Sequence, residues 1–250
     1  MIVRTPRRLH LGLIDPTGSL GRRFGSLGGV ALEGGYEVRV LSSEKLEIRA
    51  HGEDIKTIER TIEKMNAAFG TGVNYLVEVR RGIPRHVGLG STTQLSLAVG
   101  TAVARLNGIQ VSIGELARVL GRGKNSGAGI YTFAYGGFVL DGGVKNSIPP
   151  LVLREDFPEE WAFLLVIPKL KRGPDEEEEK PAMESSFGNV EAAREISHRF
   201  CSAFCSPQGA QHKGLWRTPE HYTEARGQTL CWIPGRGVQG GHISDSGVPQ

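Results

Sequence analysis

At 250 residues, with 39% hydrophobic and 23% charged side chains, the chain has room for one large domain or two small ones. A net charge of +3 is too small to indicate a nucleic-acid partner, and no apolar run reaches the roughly 18 residues of a membrane helix. Met1-Ile2-Val3 runs straight into Arg4, Arg7 and Arg8 rather than into a secretory leader, so a cytoplasmic protein is expected.

Residues 1–15 read as a strand, alternating from Arg8 onward with Leu9, Leu11 and Leu13 on one face and Arg8, His10 and Gly12 on the other. That polar face fits either an anionic site or a solvated edge. The stretch from Gly18 to Gly35, with Arg22, Arg23 and Ser26, is glycine-rich and leads into strands at Val30–Leu32 and Tyr36–Leu41. Leu46–Arg49 is a further short strand. Glu53 to Phe69 is an amphipathic helix with Ile55, Ile58, Ile62, Met65 and Phe69 on one stripe, ended by Gly70 and Gly72.

A strand at Tyr75–Val79 then leads through Pro84-Arg85-His86-Val87-Gly88-Leu89-Gly90-Ser91-Thr92-Thr93 into a helix from Gln94 to Leu106. Gly88 and Gly90 permit a tight turn and close backbone approach. Ser91, Thr92 and Thr93 supply hydroxyls and an N-cap. A helix N-terminus of this kind receives anions, and phosphate is the expected occupant; the alternative is a plain helix cap. The stretch is neither a Walker loop nor a dinucleotide fingerprint.

Asn107-Gly108 stops that helix, and Ser112 with Glu115 caps the next, Ile113 to Leu120. The loop Gly121–Gly129 sets Lys124, Ser126 and Gly127 among further glycines, as an anion cradle requires. Phe138–Asp141 is a strand between glycine turns, Pro149-Pro150 a linker, and Trp161–Pro168 the opening strand of a second domain. The acidic run Asp175–Glu179 reads as solvated, and Glu184–Phe200 as helical. Cys201, Cys205 and Cys231 match no zinc spacing, so no metal site is expected.

Pro-x3-Gly-Leu-Gly-Ser-Thr resembles the phosphate loop of the GHMP small-molecule kinases, and Ser126-Gly127 followed by Tyr135-Gly136-Gly137 resembles their later segment. The resemblance implies an α+β, two-domain fold: an N-terminal sheet-and-helix domain over 1–155, and a ferredoxin-like C-terminal domain, incomplete here, from 156–200. Where the mevalonate-type kinases carry a catalytic aspartate, this chain has Gly129, so kinase activity is expected to be absent. Four motifs together are similar to one non-kinase branch, the β-ribofuranosylaminobenzene 5′-phosphate synthases of archaeal methanopterin synthesis. They are Arg8-Leu9-His10-Leu11-Gly12-Leu13-Ile14-Asp15, the Gly88–Gln94 loop, Gly121–Gly127 and Gly136–Gly143.

That branch joins phosphoribosyl diphosphate to 4-aminobenzoate or 4-hydroxybenzoate, releasing diphosphate and carbon dioxide. The resemblance implies phosphate binding by Gly88, Gly90, Ser91, Thr92, Thr93, Lys124, Ser126 and Gly127. It implies a carboxylate partner among Arg8, His10, Arg22 and Arg23, Mg2+ carried in on the diphosphate, and a possible homodimer. It names no catalytic acid or base. A GHMP kinase using ATP, and an inactive phosphate- or nucleotide-binding homologue, are the other readings.

Residues 201–250 break the pattern. Ile, Leu and Val number 51 in residues 1–200 and 6 in the last fifty, where glycine and proline supply 12 positions and all three cysteines lie. No helical or alternating period survives. Codons built across the printed ones permit helix-like sequence over Ser206–Arg217 and Pro219–Leu230. A frameshifted, disordered tail is therefore expected, leaving a half-built second domain with exposed apolar surface.

Overall fold

The computed structural model describes residues 1–72, 74–157, 161–167, 189–205, 230–234 and 243–244. Its elements in chain order are β1 (Ile2–Arg4), β2 (Arg7–His10), β3 (Leu13–Asp15), β4 (Phe24–Ser26), β5 (Gly29–Leu32), β6 (Glu37–Ser42), β7 (Glu47–Arg49), α1 (Glu53–Phe69) and β8 (Tyr75–Arg81). Then follow α2 (Ser91–Leu106), α3 (Ile113–Val119), α4 (Ala128–Tyr135), β9 (Phe138–Asp141), β10 (Leu151–Glu155), β11 (Trp161–Leu165), α5 (Val190–Cys205), β12 (Leu230–Pro234) and β13 (Ile243–Ser244).

Two sheets carry the fold. One runs β13-β1-β6-β8-β7, antiparallel except for the parallel β7–β8 pair, which α1 connects as a βαβ unit. The other runs β10-β9-β5-β2, antiparallel throughout. The mixed class is the expected α+β, and the antiparallel majority excludes a doubly wound dinucleotide sheet. Between the sheets lies α2, whose Leu95, Leu97, Ala98, Val99, Ala102 and Val103 are fully buried. Burial on every side explains why α2 has no polar face. Alongside it, α1 buries Ile58, Ile62 and Met65 and ends at Gly70, whose left-handed φ of 65° lets its N–H bond the carbonyl of Asn66.

Several expectations need correction. Residues 1–15 form three strands, because Pro6 has no N–H to continue a ladder and Gly12 turns at φ 132°. Ala128 and Gly129, expected in the loop, open the helix α4, which runs on to Tyr135. Pro149-Pro150 is no linker: it lies in the connection between the paired strands β9 and β10, where Pro150 O accepts from Gly142 N and Pro149 O from the Tyr131 hydroxyl. The helix expected over 184–200 is described from Val190 and runs on through Cys205. In the last fifty residues, where no element was expected, apolar Leu230–Ile233 falls in β12, paired with β11, and β13 pairs with β1. The acidic run 175–179 and the tail between these strands lie outside the described residues.

Candidate anion site at the head of α2

The loop expected to hold phosphate sits where β8 hands over to α2. Gly88 and Gly90 both take left-handed φ, 74° and 71°, which side-chain-bearing residues rarely adopt. Gly90, not Ser91, is the N-cap, and no side chain caps this helix. Ser91, Thr92 and Thr93 therefore lie inside the first turn. The earliest helix bond described is Gln94 N to Gly90 O at 3.0 Å. No described bond uses the amides of Ser91, Thr92 and Thr93, the first-turn donors through which a helix N-terminus attracts anions.

Two neighbours fix the loop from outside. Arg8 N donates to Leu89 O at 3.0 Å, and the Arg8 side chain lies so close over Gly90 that a Cβ there would sit 3.0 Å from Arg8 Nε. On the other side Arg85 forks onto α1. Its Nε donates to Asp54 Oδ1 at 2.8 Å, one terminal nitrogen to Asp54 Oδ1 and to Thr57 Oγ1, and the other to Thr92 Oγ1 at 3.2 Å. The Tyr36 hydroxyl also donates to Asp54 Oδ1, at 2.9 Å; burial, with the Asp54 charge beside it, pushes the Tyr36 phenol well above its usual range. His86, a non-glycine residue at φ 60°, sets Nε2 2.9 Å from Glu53 Oε2.

The second glycine loop meets the first through α4. A Cβ on Gly129 would lie 3.1 Å from Thr93 Cγ2, and Gln94 Nε2 donates to Gly129 O at 2.8 Å. Gly129 is thus the point at which α4 packs on the first turn of α2. The end of that loop is tied to β9. Buried Asp141 accepts from Ser126 Oγ at 2.8 Å and Gly127 N at 2.9 Å through one oxygen, and from Gly143 N at 3.0 Å through the other. Ser126 Oγ in turn accepts from Ala128 N. Lys124 is exposed.

The first glycine segment is tied down likewise. Asp15, also buried, accepts from Thr17 Oγ1, Gly18 N, Ser19 Oγ and Leu20 N. Burial alone would raise its pKa, but these bonds outweigh it and hold the carboxyl below the usual range. Arg22 donates through Nε to Gly142 O and Gly143 O, and Arg23 packs over the Phe24 ring, its backbone paired with Val144.

Of the expected carboxylate ligands, the structure thus brings Arg8 to the 84–93 loop and engages Arg22 at the 142–143 corner. His10 closes β2 opposite Gly29. Sequence reasoning missed Asp54, Arg85, Asp15 and Asp141. Asp15 and Asp141 left a signal, each a lone acid ending an otherwise apolar strand. A cavity of about 640 Å³ lies elsewhere, at the C-terminal end of α2 between Arg105, Ile109, Leu116 and Phe133. No helix among the described residues is long and apolar enough to cross a membrane.

Comparison with known proteins gives a consistent picture. The GHMP kinases N terminal domain matches residues 56–137, which span α1, the loop, α2 and α4. A β-ribofuranosylphenol 5′-phosphate synthase of Archaeoglobus fulgidus is 36% identical over 210 residues, covering 78% of this chain and 66% of the relative. Its namesake from Methanothermobacter thermautotrophicus is 37% identical over 194 residues, covering 69% and 59%. The chain thus spans between about three-fifths and two-thirds of the length of these relatives. A homoserine kinase from Cytophaga hutchinsonii superposes with a TM-score of 0.58 at 16% identity, covering 81% of this chain and 65% of the kinase, a likeness of fold alone.

Proposed function

The chain belongs to the GHMP kinase superfamily, and from that premise we propose that it transfers a phosphoribosyl group from phosphoribosyl diphosphate to a para-substituted benzoate, with loss of diphosphate and carbon dioxide. The relatives' shared name favours 4-hydroxybenzoate as acceptor, which would give a ribofuranosylphenol 5′-phosphate for methanopterin synthesis. The observation that carries the reading is the pairing of an uncapped phosphate-type loop with a glycine, packed against Thr93, at the position of the kinases' carboxylate.

In this reading Gly88, Gly90, Ser91, Thr92 and Thr93 hold one phosphate end of the donor, with Arg8 beside them. Departure of diphosphate leaves positive charge on the ribose, and donors on the leaving group lower that barrier. The ring carbon bearing the carboxylate attacks, and carbon dioxide leaves as aromaticity returns. Neutral amides and hydroxyls suit phosphate oxygens better than a bare cation. The Mg2+ of the reaction is accordingly assigned to the diphosphate, as part of the substrate. Lys124, exposed beside the second loop, is assigned to the donor's other anionic end, and His10 or Arg22 to the acceptor carboxylate. We further assign the enzyme to the cytoplasm and to a homodimer.

The test is incubation with phosphoribosyl diphosphate plus 4-hydroxybenzoate or 4-aminobenzoate, and separately with ATP and small alcohols. Release of diphosphate with carbon dioxide is expected. Phosphorylation of an alcohol in proportion to protein would establish a kinase, and binding without turnover an inactive homologue. The composition break after about residue 200 supports a shifted reading frame there. An unambiguous gene sequence matching the printed frame through Gln250, with a protease-resistant tail, would overturn that part.

A further inference from the structure

Arg85 is one of two side chains, with His86, that join the loop to α1. A guanidinium donates and cannot accept. A hydroxyl that accepts from it must therefore send its own proton elsewhere. Thr57 shows the consequence: it accepts from Arg85 at 2.9 Å and donates to Glu53 O at 3.0 Å. Other helical threonines also bond the carbonyl four residues back, Thr61 to Thr57 O at 2.7 Å and Thr132 to Ala128 O at 2.8 Å.

Thr92 differs. It stands in the first turn of α2, so the residue four back is Gly88, outside the helix. Arg85 occupies its oxygen from the α1 side, and its proton has no described acceptor within the protein. We propose that Arg85 is a positioning residue that turns the Thr92 hydroxyl into an outward donor to the bound phosphate, beside the uncapped amides of Ser91–Thr93. Asp54, bonded by both Arg85 and Tyr36, holds the guanidinium in the orientation that does this. The proposal rests on the phosphate assignment of the loop.

A double-substitution cycle on the full chain tests it, with binding of phosphoribosyl diphosphate measured by calorimetry. Arg85→Lys keeps the charge but cannot reach Asp54, Thr57 and Thr92 at once. It is expected to weaken binding about tenfold, as is Thr92→Val, and the double variant to bind no more weakly than Thr92→Val alone. Losses that multiply, or unchanged affinity in Arg85→Lys, overturn the proposal. A purely structural Arg85 would lower the melting temperature without this coupling to the hydroxyl. Where Arg85→Lys does not fold, Thr92→Ser against Thr92→Val decides. Serine should keep near-native affinity, and equal affinities for the two overturn the proposal. Wild-type protein with no affinity for phosphoribosyl diphosphate or inorganic diphosphate would overturn the phosphate assignment itself, a result distinct from a wild type that binds and variants that do not differ.

Discussion

The loops at 84–93 and 121–129 look alike in sequence, each with glycines, cations and hydroxyls at the head of a helix, and they differ in where their donors go. Around 121–129 the donors turn inward: Ser126 Oγ and Gly127 N end on Asp141, and Ala128 N ends on Ser126. Both helices start at a glycine N-cap without a side-chain cap, but at 84–93 no described side chain accepts from the first-turn amides as Ser126 does from Ala128. Glycine content permits an anion site but does not create one; the site is wherever the donors have been left without a protein acceptor.

The largest effect that would break this contrast comes from Asp141. Asp141→Ala removes a buried charged acceptor of three bonds and should cost about 3 kcal/mol of stability in urea unfolding. A loss under about 1 kcal/mol would mean that the second loop's donors have other partners. Next is Gly90→Val, which places a β-branched side chain at φ 71° against Arg8. It should weaken phosphoribosyl diphosphate binding by about 100-fold while unfolding stays cooperative; unchanged affinity would remove the first loop from the site.

Gly129→Asp is smaller. Its Cβ would press on Thr93 Cγ2 at 3.1 Å, costing about 2 kcal/mol, and it should confer no ATP-dependent phosphorylation. Robust phosphorylation in this variant would show that the helices part easily.

The smallest effect is a pH dependence at Asp15. Its folded pKa lies below the ordinary aspartate range, so its stabilising bonds are fully present above that range and are lost as pH falls through the lowered value. Asp15→Asn should flatten the acid limb of the stability curve. An unchanged limb would assign acid sensitivity to other carboxylates.

Local chemistry was legible in the sequence. The stripe Ile58-Ile62-Met65 with Gly70 gave α1 its bounds, and the strand–glycine loop–helix order at 75–106 was readable in full. Ser112 caps α3 as its spacing to Glu115 implies, accepting from Glu115 N at 3.2 Å. The helix α4 was not legible, because Gly127 and Gly129 argue against a helix and its residues are apolar all round, with no period to count. The partners of the candidate site were equally hidden. Arg85 pairs with Asp54 across 31 residues and Ser126 with Asp141 across 15, and no local spacing announces such pairs. Arg8 and Arg22 looked equivalent as cations. Only the fold sends one to Gly90 and the other to the carbonyls of Gly142 and Gly143.

The loop's two anchors, Arg85 and His86, reach neighbouring residues of one helix, Asp54 and Glu53. The shape of the 84–93 loop is therefore settled when α1 docks, before any ligand arrives. An incoming phosphate meets donors already arrayed and has little chain left to order, so the entropic cost of holding this loop still falls on folding rather than on recognition.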